Sequence, residues 1–105
     1  MTDWESKWQE YCKVLDGLAR ERPIRDYLYK MEKRLKAIKF LAASGNNAVR
    51  EHTYYASVEY DQLCTQQREA EEKVCALESK RDQLKAWFDL VRTEEATKRE
   101  EMRLG

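Results

Sequence analysis

Turn-forming residues are scarce in this chain of 105 residues, which holds three glycines and one proline. So few of them leave little room for the loop-rich scaffold on which catalytic residues are usually carried. Long apolar runs are also missing. The longest, Phe40-Leu41-Ala42-Ala43, falls far short of the ~20 residues that span a bilayer. The first twenty residues are too rich in charge for a secretory leader, so a cytoplasmic protein with no membrane contact is expected. Neither sign of charge is in excess. Twenty basic and twenty acidic side chains give zero formal net charge, which argues against nucleic-acid binding through overall positive charge and against acidic mimicry of DNA. Cysteine is limited to Cys12, Cys64 and Cys75, with no CxxC pair. On one helix Cys64 and Cys75 would stand ~16 Å apart at 1.5 Å per residue, too far to bridge, so three reduced thiols are expected.

What the chain has in abundance is charge laid out at helical spacing. Charged residues make up 38% of it, against roughly 25% in ordinary globular domains. In the second half, Ala56, Tyr60, Leu63, Gln67, Ala70, Val74, Leu77, Arg81, Leu84, Phe88 and Val91 follow one another at alternating intervals of 4 and 3. That is the spacing of a coiled-coil seam, and it predicts one helix over about residues 48–100, ~75 Å long. Gln67 and Arg81 are polar interruptions, of a kind that sets register or oligomer state. The first half repeats the spacing in two pieces, Trp4, Trp8, Tyr11, Leu15 and Leu18, then Ile24, Leu28, Met31, Leu35, Ile38 and Ala42. These predict helices over about residues 2–21 and 24–43, the first capped by Thr2 or Asp3. Pro23 between them either kinks one continuous arm or reverses the chain.

Ser44-Gly45-Asn46-Asn47 reads as a turn, with Gly45 ending one helix and Asn46 or Asn47 capping the next. The expected fold is therefore all-α: a single helical domain over residues 1–105, folded as an antiparallel helical hairpin with a coiled-coil seam. In register from Gly45, such a hairpin brings Trp4, Trp8 and Tyr11 close to Trp87 and Phe88 and leaves the chain beyond about Arg92 without a partner. Two helices bury a thin core. Homodimerisation through the seam residues Leu63, Val74, Leu77, Leu84 and Phe88 would widen it, and Tyr55, Val58, Cys75, Trp87 and Leu90 lie off the main seam, where a second copy, or a three-helix fold made at Pro23, would use them.

No catalytic, cofactor-binding or metal-ligating set emerges. The pairs Glu71-Glu72, Glu94-Glu95 and Glu100-Glu101 are sequence neighbours, which on a helix point about 100° apart, and His52 has no Cys or Asp partner one turn away. An enzyme is not expected. Residues 20–43 hold eight basic and three acidic side chains, a net of +5. Arg22, Arg25, Tyr29, Lys33 and Lys36 fall on one face there. They would suit either a phosphate backbone with one stacked base, or pairing with acidic residues of the long helix. Tyr54 and Tyr55, just after the turn, point two ways and offer a contact site at the hairpin tip.

Ser44 and Gly45, then Arg50 and Glu51, the stretch Tyr55, Ala56, Ser57, Glu59 and Tyr60, and later Arg92 and Thr93 resemble a group of small helical accessory proteins of tailed phages and prophages. Members of that group carry a Ser-Gly turn, a Tyr-Ala-Ser-x-Glu-Tyr stretch opening a long charged helix, and a Trp-Arg-Thr motif near the end. Here Val91 stands in the tryptophan position, with Trp87 one turn earlier. The resemblance covers residues 44–99 and brings no enzymatic activity with it. It implies a phage-encoded accessory protein acting in the bacterial cytoplasm. The expected function is thus a protein–protein interaction module that binds a host or phage protein. The alternatives are an accessory DNA-binding factor in phage recombination or replication, and an inhibitor of a host defence complex.

Overall fold

A computed structural model describes residues 2–105. Three helices, α1 (Asp3–Ala42), α2 (Asn47–Tyr55) and α3 (Val58–Leu104), account for nearly all of them, with no strand among the described residues. The chain is all-α, and its backbone contacts group into two compact units, in each of which a stretch of α1 packs antiparallel against a stretch of α3. The central unit is Ala19–Cys75. The terminal unit joins the segment ending at Leu18 to Ala76–Gly105.

Helix α1 starts with a reciprocal cap. The Glu5 amide donates to Thr2 Oγ1 at 3.1 Å while the Thr2 amide donates to Glu5 Oε2 at 3.4 Å, satisfying two otherwise orphaned donors. The helix then runs without a break past Pro23, so the expected helices over residues 2–21 and 24–43 are one. Proline removes one backbone hydrogen bond, but Pro23 and Ala19, whose carbonyl loses its donor, are both exposed and water can satisfy that group. At the turn Gly45 adopts φ +108, where an L side chain is strained, and a Cβ there would also sit 3.2 Å from Val49 Cγ1. Asn46, rather than Asn47, caps α2: its Oδ1 accepts from the Val49 amide at 3.0 Å.

The expected uninterrupted helix over residues 48–100 is divided at Ala56 and Ser57 and reaches Leu104. Ser57 makes the division. Its amide turns back to the Tyr54 carbonyl at 3.1 Å, and its hydroxyl accepts from the Tyr60 amide at 3.2 Å while donating to the Tyr54 carbonyl at 2.6 Å. A serine so placed ends one helix and caps the next. The break shifts the phase, so the side chain buried before it is Tyr54 and the expected seam member Ala56 is exposed.

From Leu63 onward the α3 seam holds: Leu63, Ala70, Val74 and Leu84 are buried, and Gln67, Leu77, Arg81, Phe88 and Val91 are half-buried. On α1 the inward positions are Lys7, Tyr11, Val14, Leu18, Glu21, Arg25, Leu28, Glu32, Leu35 and Lys39, one unbroken alternation of 4 and 3. Of the expected stripe, Leu28 and Leu35 are inward while Leu15, Ile24 and Ile38 are exposed. The register is therefore set partly by charged residues that find partners across the seam.

Candidate interaction surface

In the central unit the charged seam positions of α1 meet acidic and polar groups of α3. Arg25 Nε lies 3.5 Å from Glu71 Oε1, and Lys39 Nζ lies 3.1 Å from Glu59 Oε2. The Gln67 amide donates to the Leu28 carbonyl and to Glu32 Oε2, both at 3.3 Å, which explains a polar residue in the seam. The Glu59 carboxyl is held below its ordinary range by its own backbone amide at the start of α3 and by Lys39. Tyr29 is raised above the usual phenol by partial desolvation, then by the charge of Glu71 and a hydrogen bond to it. Lys36 lies over two rings, 5.5 Å from the centre of Phe40 and 5.6 Å from that of Tyr55. Of the five residues of the basic face, Arg25, Tyr29 and Lys36 thus have partners inside the unit. Arg22 is half-buried, and Lys33 is exposed.

The two tip tyrosines divide. Tyr54 is 1% exposed, and its hydroxyl donates to the Glu32 carbonyl at 3.4 Å, so it belongs to the core and not to a contact surface. Tyr55 is 51% exposed. With Tyr60 the pair forms a three-ring cluster whose centres are 4.9 to 5.1 Å apart. The Cys64 sulfur, which hydrogen-bonds the Tyr60 phenol and opposes a second negative charge, pushes that phenol up to about 12. Leu63, Val74, Leu77, Leu84 and Phe88, expected to serve seam and dimer alike, are used within the chain: three are buried and two half-buried.

In the terminal unit Gly17 faces Leu77, where a Cβ would come 3.1 Å from Leu77 Cδ2. A mid-helix glycine is a signal of close helix approach that spacing of apolar residues alone does not reveal. Lys80 Nζ pairs with Glu10 Oε1 at 3.7 Å. Further along, Phe88 presents ring edges or faces to Trp4, Trp8, Tyr11 and Trp87 at 5.2 to 5.9 Å, and Trp4 stacks on Trp8 at 5.7 Å with 9° between planes. The aromatic cluster expected from the register is present. Trp4, Trp8, Tyr11, Phe88 and Val91 line a cleft of about 580 Å³ whose rim carries Lys85, Asp89, Arg92 and Glu95. Both tryptophans remain nearly half exposed.

A second apolar stripe on α1 was hidden in the sequence because its members mingle with seam residues. Ile24, Tyr27, Met31, Ile38 and Leu41 recur at 3–4 spacing with Arg34 among them, about 100° round the helix from the seam. All but the half-buried Met31 are exposed, Leu41 to 86%. The three cysteines are free thiols. Among the described residues no group of three or more His, Cys, Asp or Glu side chains could hold a metal ion, and no helix is long and apolar enough to cross a membrane. No family model matches the chain, and neither a curated protein nor a solved structure does.

Proposed function

We propose that this chain is a non-enzymatic protein–protein interaction module, a phage-encoded accessory protein that acts as a homodimer and receives a host or phage protein on the outer face of α1. The observation that carries the reading is the second stripe. Ile24, Tyr27, Ile38 and Leu41 are exposed at the spacing one helix uses to pack on another, while the seam beside them is already filled. Single exposed apolar residues need no explanation, but a row of them at helical period does. The resemblance over residues 44–99 supports the phage setting. Inhibition of a host defence complex is one form such binding would take.

The basic face supports a DNA-binding factor less well, because Arg25 and Tyr29 face Glu71 and Lys36 lies over rings. The test is a Tyr27→Glu/Ile38→Glu variant used beside the wild type to capture partners from nuclease-treated bacterial lysate. Both positions are solvent-facing, so circular dichroism is expected to be unchanged while a specific partner is lost. Identical capture by the two proteins would remove the stripe from the function.

A further inference from the structure

The last part of α3 carries a surface that no described residue covers. Residues 92–105 are exposed throughout, past the level at which Trp4 packs on Phe88. The seam spacing nevertheless continues through Val91, Glu95, Lys98 and Met102. We propose that this segment pairs antiparallel with the same segment of a second copy, about a two-fold axis between Ala96 and Thr97.

Such an axis maps the seam onto itself. Val91 then meets Met102 of the second copy, and Glu95 meets its Lys98. The flanking residues agree: Glu94 comes opposite Arg99, and Arg92 opposite Glu101. Every charged pair so formed is of opposite sign, whereas a parallel pairing would set Glu95 on Glu95 and Lys98 on Lys98. The intrahelical pairs Arg92 to Asp89 at 2.9 Å and Arg103 to Glu100 at 3.1 Å have side chains 58–76% exposed, so they compete only weakly. Met102 placed over Val91 also stands at the mouth of the cleft lined by Trp4 and Trp8, where a thioether against ring faces is favourable. The overlap is short, and two isolated turns-long helices do not associate stably on charge alone. The cleft adds apolar contact to the little that the tail offers through Met102 and Leu104. This assignment rests on the homodimer named above and adds where its interface lies.

Sedimentation equilibrium of the full chain tests it with two variants, Glu94→Lys/Glu95→Lys and Lys98→Glu/Arg99→Glu. Each gives the tail a single sign at these four positions, so each alone should self-associate at least roughly tenfold more weakly than the wild type. Mixed in equal amounts they become complementary, and a species of twice the 12.6 kDa chain mass should return. Altered helicity of one tail cannot produce assembly that depends on mixing. A wild type that stays monomeric at every concentration overturns both the tail pairing and the homodimer. Dimers that persist in each variant alone overturn the tail pairing and leave the homodimer standing, and a mixture that fails to assemble overturns the tail pairing as well.

Discussion

At the scale of single residues, the neighbours Val14 and Leu15 show what decides burial here. Leucine is the larger apolar group, yet Val14 is 7% exposed and Leu15 41%. The helix is phased by the sum of its contacts, with Gly17 admitting Leu77 and Leu18 buried one turn on. Val14→Asp places an unpaired charge in the seam and is expected to abolish cooperative unfolding. Leu15→Asp should lower stability by less than about 1 kcal/mol, mostly through helix propensity. Urea unfolding followed by circular dichroism compares them, and equal losses would mean the register is wrong. Tyrosines set the alkaline limit. An unfolded phenol releases its proton near pH 10, whereas Tyr60 in the folded protein holds it to about 12, and Tyr54 and Tyr29 are raised in the same direction. Between those values the folded state binds more protons than the unfolded one. Stability should therefore be full below about pH 10 and fall as pH rises from there through the folded values. A urea midpoint that is flat across that window would show that folding does not hold the protons on these phenols.

At the scale of elements, caps and charged seam positions explain where sequence reading succeeded. The seam of α3 from Leu63 to Val91 was legible because its apolar residues keep strict spacing with little apolar competition alongside. The cluster of Trp4, Trp8, Tyr11, Trp87 and Phe88 followed from counting outward from Gly45. On α1 the same method misplaced Leu15, Ile24 and Ile38, because Glu21, Arg25, Glu32 and Lys39 hold inward positions that apolar spacing cannot recognise. Their reason lies in partners such as Glu71, Gln67 and Glu59, far away in sequence. The break at Ala56 and Ser57 was hidden because alanine and serine are compatible with a helix interior, and only the bonds made by the Ser57 hydroxyl reveal the cap. Ser57→Ala should cost about 1 kcal/mol of unfolding free energy, within the 0.5–2 range seen for lost caps. A thermal midpoint unchanged by that substitution would show that the division of α2 from α3 does not depend on the serine.

At the scale of the whole molecule, a neutral chain with 38% charged residues has directed much of its charge at itself. Acidic and basic groups meet across each unit, and the exposed surface includes an apolar row on α1 and an aromatic cleft in the terminal unit. Under the proposed function, recognition runs through shape and apolar contact, with charge choosing the partner and its direction. Salt separates this mode of binding from binding to nucleic acid. The measurement is the affinity of the purified protein for its captured partner, and for single-stranded and duplex DNA, at ionic strengths between about 50 and about 200 mM, where counterion release dominates nucleic-acid binding. Partner affinity should change by less than a few-fold across that range, with no comparable affinity for DNA. Binding to DNA that weakens by about 10³ or more over the same interval, with the Tyr27→Glu/Ile38→Glu variant binding as the wild type does, would contradict the proposed function.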